Sequence, residues 1–113
     1  KTILLADDNK TFLELLSQAL KKDTLKIITT SCGEEALENI KKIKFDLIIS
    51  DYDMGNSNGL SILKYLRENN INTKFIMLTG SDSSELKEQV ERLNAIFLDK
   101  GNFELLKIIR NEI

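Results

Sequence analysis

The sequence predicts a single α/β domain in which a parallel sheet lies between two layers of helices. Short apolar runs rich in Ile, Leu, Phe and Thr alternate five times with segments of helical periodicity. The runs at 45–49 and 75–78 are almost continuously apolar, which is typical of central strands buried on both faces. With 113 residues, 42% of them hydrophobic, the chain has room for one core, so we predict one domain spanning 1–113.

Five apolar runs are predicted to form the strands. In chain order they are TILLA at 2–6, LKIITT at 25–30, FDLIIS at 45–50, KFIMLT at 74–79 and AIFLD at 95–99. Each is followed by a segment in which apolar residues recur at helical spacing. The apolar residues that mark the five helices are Phe12, Leu15, Leu16, Ala19 and Leu20; Ala36, Leu37 and Ile40; Leu60, Leu63 and Leu66; Leu86, Val90 and Leu93; and Leu105, Leu106, Ile108 and Ile109.

Helix start signals agree with this division of the chain. Ser31 with Glu34 three residues later matches a capping box, and Asn58, Ser83 and Asn102 are suitable N-cap residues. The pattern predicts a doubly wound, flavodoxin-like (βα)5 three-layer sandwich with sheet order 2-1-3-4-5. In this topology ligands bind beyond the carboxyl ends of the first and third strands, where the strand order reverses.

Composition excludes several classes of function. The net charge is -2 and its 16 basic and 18 acidic residues are mixed along the chain, so we predict no direct binding of nucleic acid. The chain has no histidine and one cysteine, Cys32, which excludes Ser-His and Cys-His catalytic pairs and cysteine-rich metal sites. No apolar run reaches the length of a membrane span, so we predict a cytoplasmic protein with no membrane contact.

Polar residues end the strands that would line the switch point. Asp7 and Asp8 follow the first strand, and Asp51 follows the third, with Asp53 two residues later. The fourth strand ends in Thr79 and the fifth leads to Lys100. Each of these residues alone could be a turn or cap residue, because Asp and Thr are favoured where helices begin. Their joint occurrence at one edge of the predicted sheet favours a site.

A cluster of carboxylates requires a cation. Two carboxylates 4 Å apart repel by about 4 kcal/mol at an effective dielectric constant near 20. Oxygen ligands without histidine or thiol favour a hard divalent ion, and a few ligands on a compact turn suit Mg²⁺. Mg²⁺ beside a lysine and a hydroxyl suits phosphoryl transfer, in which an aspartate can act as the nucleophile.

The segments LLADDN, DLIISDYDMGNSNGL, FIMLTG and FLDKG, in this order and at these spacings, resemble the receiver domains of two-component response regulators over essentially the whole chain. The resemblance implies that Asp51 is the phosphoacceptor and that Mg²⁺ is held by Asp8, Asp51 and the backbone carbonyl of Asp53, with Asp7 acting through water. It also implies that Thr79 donates its hydroxyl to the phosphoryl group and moves inward, and that Lys100 pairs with a phosphoryl oxygen. Phe97 lies where the family keeps an aromatic switch residue.

Four positions depart from the family pattern. Glycine replaces proline at Gly55 and Gly101, and we predict a trans Lys100–Gly101 bond because a cis bond would cost about 2.5 to 4 kcal/mol. Asn94 stands where the family has glycine, which affects partner geometry around the fourth helix and fifth strand. Phe97 has no hydroxyl to fix an inward state, so the switch is expected to be weaker.

The resemblance implies a switch phosphorylated by a sensor histidine kinase or phosphotransfer protein and acting on an effector domain or partner protein. It catalyses only its own phosphorylation and dephosphorylation. Surplus apolar surface on the last helix could serve a homodimer. Two alternatives stay open: a constitutive interaction module that needs no phosphate, and an Asp-nucleophile phosphatase. The phosphatase class carries a DxD pair at the end of its first strand and a cap for the substrate, whereas here the first strand ends in adjacent acids and no cap is present. Since the chain starts at Lys1 and stops at Ile113 within a helical pattern, we interpret it as a segment of a longer protein.

Overall fold

The computed structural model describes residues 1–80 and 83–113 and has the predicted alternation of strands and helices. The elements are β1 (Thr2–Ala6), α1 (Lys10–Leu20), β2 (Lys26–Thr30), α2 (Gly33–Lys42), β3 (Leu47–Asp51), α3 (Gly59–Glu68), β4 (Lys74–Thr79), α4 (Ser84–Arg92), β5 (Ile96–Asp99) and α5 (Leu105–Glu112). Within the described residues no helix combines the length and the apolar character needed to cross a membrane.

The five strands form one parallel sheet with the order β2-β1-β3-β4-β5, which confirms the predicted topology. β1 and β3 are neighbours in register, and Ala6 near the end of β1 pairs with Ser50 near the end of β3. The carboxyl ends of these two strands therefore lie side by side, at the point where the strand order reverses.

Alternate side chains of the strands enter two cores, one on each face of the sheet. Ile3, Leu47 and Ile49 pack with α1 and α5, whereas Leu4 and Ile48 pack with α2, α3 and α4. β3 is buried along its whole length because helices cover both of its faces. A residue at the end of β3 is thus carried by a strand that is buried throughout.

One residue that was predicted to lie on the apolar face of α1 is exposed instead. Leu15 of α1 is 61% exposed, whereas Leu13, which the periodicity did not mark, is buried with Leu16 and Leu20. The core stripe of α1 is therefore rotated by part of a turn from the predicted one. Apolar residues on both sides of the stripe made its exact position ambiguous.

Two of the predicted caps are confirmed. The side chains of Asn58 and Ser83 accept hydrogen bonds from the backbone N–H groups of Ser61 and Leu86, at 2.9 and 3.3 Å. The predicted N-cap at Asn102 is wrong, because α5 begins at Leu105 and the Asn102 side chain instead accepts the N–H of Glu104 in the preceding turn.

The capping box predicted at Ser31 is also wrong. α2 begins at Gly33, and Cys32 occupies the N-cap position without a side-chain hydrogen bond. The first N–H of the helix donates to Ser57, a residue of the loop after β3, so a tertiary contact replaces the local cap.

Two of the departures from the family pattern, Asn94 and Gly101, lie in the loops on either side of β5. The Lys100–Gly101 bond is trans, as predicted. Asn94, in the turn between α4 and β5, has a φ of 57°. Asparagine tolerates this left-handed conformation better than most residues, so it can stand where glycine is common.

Arg67 at the end of α3 joins three segments of the chain. Its guanidinium donates hydrogen bonds to four backbone carbonyls at 2.7 to 3.2 Å, those of Leu93, Ile71, Thr73 and Asn94. Burial lowers the pKa of Arg67, and these carbonyl dipoles replace the water that it loses. No sequence pattern predicts this role, because the acceptors are backbone atoms of other segments.

Replacement of Arg67 by lysine is expected to lower the free energy of unfolding by about 2 kcal/mol, since an ammonium cannot reach all four carbonyls and leaves some without donors. The measurement is urea denaturation. Arg92→Lys is the matched control, because Arg92 is exposed and pairs with exposed Glu88, so its loss should be within about 0.5 kcal/mol. Equal effects of the two changes would contradict the account of Arg67.

Candidate functional site

The predicted acidic residues meet at the carboxyl ends of β1 and β3. Asp7 and Asp51 are 2% and 7% exposed, whereas Asp8 is exposed. One carboxylate oxygen from each of these three residues lies within 4.8 Å of the others. Adjacent strand ends therefore convert residues 43 positions apart in sequence into one compact cluster.

Lys100, just beyond β5, supplies a positive charge to this cluster. Its Nζ lies 2.8 Å from Oδ2 of Asp7 and 3.3 Å from Oδ2 of Asp51. The backbone N–H of Lys100 donates to the carbonyl of Thr79 at 2.9 Å, which fixes the start of this loop to the end of β4. The structure thus brings Lys100 to the acids as the sequence predicted.

The ring of Phe12 in α1 is a part of the site that sequence reasoning missed. The Lys100 Nζ lies 4.6 Å from the ring centroid, a distance suited to a cation–π interaction. In the sequence Phe12 was only one of several apolar residues of a helix, and nothing distinguished it from a core residue.

Asp7 is also bound to the start of α1. Its Oδ1 accepts the backbone N–H of Asn9 at 2.9 Å, and the Asn9 side chain in turn accepts the N–H of Phe12. Its Oδ2 is buried and has Lys100 as its ion-pair partner. Asn9 is a helix cap that the sequence analysis did not predict, and it fixes the turn that carries Asp7 and Asp8.

The remaining predicted residues lie around this cluster with different exposure. Thr79 is buried at the end of β4, one residue beyond Leu78, the partner of Asp51 in the sheet. Phe97 in β5 is half-buried against the core that contains α2, α3 and α4. The side chain of Asp53 is exposed, and its Oδ1 accepts the N–H of Gly55 at 3.2 Å.

The surroundings of the site raise the pKa values of Asp51 and Lys100. Burial raises the pKa of Asp51 to about 6, and the charge of Asp7 adds to the rise while Lys100 opposes it. Burial lowers the pKa of Lys100, but its hydrogen bond to Asp7 and the charges of Asp7 and Asp51 outweigh burial, and the net shift is upward. At Asp51 the favourable interactions with Lys100 therefore do not offset burial and the charges of Asp7 and Asp8.

The raised pKa of Asp51 predicts a pH dependence of stability in the metal-free protein. The folded state holds this proton up to about pH 6, whereas a carboxyl group with its ordinary pKa of 3.8 loses it earlier. Between these values the folded state binds more protons, so the free energy of unfolding falls as pH rises. We expect wild-type protein to lose stability relative to Asp51→Asn between about pH 4 and pH 7 in denaturant titrations with a chelator. Parallel pH profiles would contradict this expectation.

The donor set fits a hard divalent cation. All candidate ligands are carboxylate oxygens, with no histidine or thiol among them, and the three acids face the single charge of Lys100, which lies at ion-pair distance from Asp7 and Asp51. Oxygen ligands of this kind suit Mg²⁺ or Ca²⁺ rather than a soft metal.

Comparison with known proteins gives the class of protein that this fold and site define. The profile described as the response regulator receiver domain matches residues 3–109. The chain therefore belongs to the family of response regulator receiver domains. Membership of this family supports a phosphorylation-dependent switch and does not favour the constitutive interaction module.

Particular relatives agree with this membership. The chain is 35% identical over 82 residues to the alkaline phosphatase synthesis transcriptional regulatory protein PhoP of Bacillus subtilis, covering 73% of this chain and 34% of PhoP. The receiver domain of Francisella response regulator 1452 is 30% identical, with a TM-score of 0.86 and coverage of 98% and 94%. Response regulator TrrA of Thermotoga maritima, solved in complex with Mg²⁺-BeF, is 28% identical, with a TM-score of 0.84 and coverage of 100% and 99%. The chain spans about a third of the length of the curated relatives that it matches.

Proposed function

We propose that this domain is a signalling switch that accepts a phosphoryl group on Asp51 from a sensor histidine kinase or phosphotransfer protein. The observation that carries the proposal is the position of the Asp51 carboxylate, at the buried end of β3 and 3.3 Å from the Lys100 ammonium, among further acids. A nucleophile held by a rigid strand beside a cation has the positioning and the charge that phosphoryl transfer requires.

In the proposed reaction an Asp51 carboxylate oxygen attacks the phosphorus atom of the donor. A P–O bond to Asp51 forms while the P–N bond to the donor histidine breaks, and its electron pair leaves with the imidazole. The product on this chain is an acyl phosphate. Lys100 is close enough to pair with an oxygen of the transferred group and to offset its charge.

Asp8, Asp51 and the backbone carbonyl of Asp53 would hold Mg²⁺, with Asp7 acting through water. When bound, Mg²⁺ supplies positive charge that neutralises the carboxylates and the oxygens of the transferred phosphoryl group. The Mg²⁺-BeF bound in the Thermotoga relative supports this choice of metal. The position of Asp53, which is exposed with its side chain turned to Gly55, is compatible with a role for its carbonyl alone.

Thr79 and Phe97 are the proposed switch residues. The hydroxyl of Thr79 would donate to the phosphoryl group, and the resulting inward movement would let the Phe97 ring change its position. Phosphorylation adds charge at one end of the sheet and shifts an equilibrium between two states of the α4–β5 face. The expected recipients of this signal are an effector domain or partner protein, or a second copy of the domain.

The domain would act in the cytoplasm and catalyse only its own phosphorylation and dephosphorylation. The test is intact mass after incubation with acetyl phosphate, in which Mg²⁺ or a chelator is present. One added phosphate that depends on Mg²⁺ supports the proposal. Steady hydrolysis of an external phosphate ester without a lasting adduct would instead favour a phosphatase.

A further inference from the structure

The loop at residues 53–58, which we call the acceptor loop, joins β3 and Asp51 to α3. Asp53 and Asn58 pair as an isolated antiparallel bridge, and the N–H of Met54 donates to the Ser57 carbonyl at 3.0 Å. Gly55 lies at the tip with a φ of 76°, which a glycine adopts without strain. The loop is thus a short closed hairpin. Because its two sides are hydrogen-bonded to each other, a contact that positions one side also positions the other.

Ser57 attaches the acceptor loop to the start of α2. Its Oγ accepts the backbone N–H of Gly33, the first residue of α2, at 3.1 Å. A Cβ atom on Gly33 would lie 2.3 Å from this oxygen, so the close approach requires a glycine at that position. Cys32, at the N-cap position, provides no competing side-chain hydrogen bond.

Met54 gives the loop a second, apolar attachment. It is 4% exposed and packs in the same core as Ala36 of α2. Asp53 lies beside Met54 in the chain and opposite Asn58, the residue after Ser57. The carbonyl proposed as a metal ligand therefore belongs to a loop whose position depends on contacts with α2, and Ser57 makes the polar contact.

We infer that Ser57 is a positioning residue that holds the acceptor loop against α2, so that the backbone carbonyl of Asp53 stays in place for Mg²⁺. The inference rests on the proposed function, which makes that carbonyl a ligand. A ligand on an unattached loop would have to be ordered when the metal binds, and the ordering would weaken binding. Partners that orient metal ligands commonly affect metal affinity in this way.

The first test is calorimetric titration of Mg²⁺ into the wild-type protein and Ser57→Ala at a temperature where both are folded. We expect Ser57→Ala to bind Mg²⁺ about 3- to 10-fold more weakly, the effect of losing one orienting hydrogen bond. The rate of phosphorylation by acetyl phosphate should show the same shift in Mg²⁺ concentration dependence and an unchanged limit at saturating Mg²⁺, because Ser57 does not touch the reacting atoms.

The double variant Cys32→Ser with Ser57→Ala separates positioning from simple capping of α2. A serine at the N-cap position can accept a free N–H of the first helical turn, so it should restore the thermal stability lost in Ser57→Ala. It cannot attach the acceptor loop, so Mg²⁺ binding should stay weak.

The outcomes distinguish the inference from the proposed function. Wild-type affinity in Ser57→Ala, or full recovery of affinity in the double variant, would overturn the inference while Mg²⁺ binding by the wild type still supports the function. A wild-type protein that binds no Mg²⁺ would overturn both.

Discussion

The Asp51→Asn variant is expected to acquire no phosphate from acetyl phosphate under conditions in which the wild type is labelled. The amide is not a nucleophile toward phosphorus, and the other acids are held differently: Asp7 is bound by Asn9 and Lys100, while Asp8 and Asp53 are exposed. The measurement is incorporation of labelled phosphate in the presence of Mg²⁺.

Loss of labelling in Asp51→Asn should not come from unfolding. Because the pKa of Asp51 is raised by burial and by Asp7, the amide removes an unfavourable charge, and stability at neutral pH should be equal or higher in the metal-free protein. Asp53→Asn is the matched control, since it keeps its backbone carbonyl and an oxygen for the N–H of Gly55. It should be labelled like the wild type, and labelling of Asp51→Asn to the same extent would refute the assignment of the nucleophile.

Replacement of Lys100 by methionine is expected to slow phosphorylation about 100- to 1000-fold, the usual loss when one charge-stabilising group is removed from a reacting centre. Methionine has nearly the length of lysine but no ammonium, so it removes the charge at the site together with the Nζ contact over the Phe12 ring. The measurement is the initial rate of labelling by acetyl phosphate at saturating Mg²⁺. A rate within a few-fold of the wild type would contradict the role of Lys100.

Lys100→Met also leaves the buried Asp7 carboxylate without its ion-pair partner, and we expect this to lower stability. A second variant, Lys100→Met with Asp7→Asn, removes both charges and should recover much of that stability without recovering the rate. Lys107→Met is the surface control, because Lys107 pairs weakly with exposed Glu104 at 3.9 Å.

The fold could be predicted because hydrophobic pattern and topology agree along this chain. The continuous apolar runs of β3 and β4 predict strands that are covered by helices on both faces. In a doubly wound parallel sheet the ligand site lies at the carboxyl ends of the strands where their order reverses, which places Asp7 and Asp51 at one edge. Lys100 could be assigned to the same site because it directly follows β5, the last strand. For these residues, position in the chain determines position in space.

The contacts that sequence reasoning missed are tertiary ones without a local pattern. Ser31 matched a capping box, yet the N–H of Gly33 is bound by Ser57, 24 residues away. Phe12 had the spacing of a core residue, and its contact with Lys100 depends on the approach of α1 to the β5–α5 loop. The four acceptors of Arg67 are backbone carbonyls, which every residue carries, so no residue type could have marked them.

The measurement that tests the central claim most directly is identification of the residue that carries the phosphate. Wild-type protein would be labelled with acetyl phosphate and Mg²⁺ and then reduced with borohydride, which converts an aspartyl phosphate to homoserine. Peptide mass spectrometry would then locate the change. The account predicts homoserine at position 51 and no other modified residue. Phosphate that resists reduction on a serine or threonine, or homoserine at another aspartate, would contradict it.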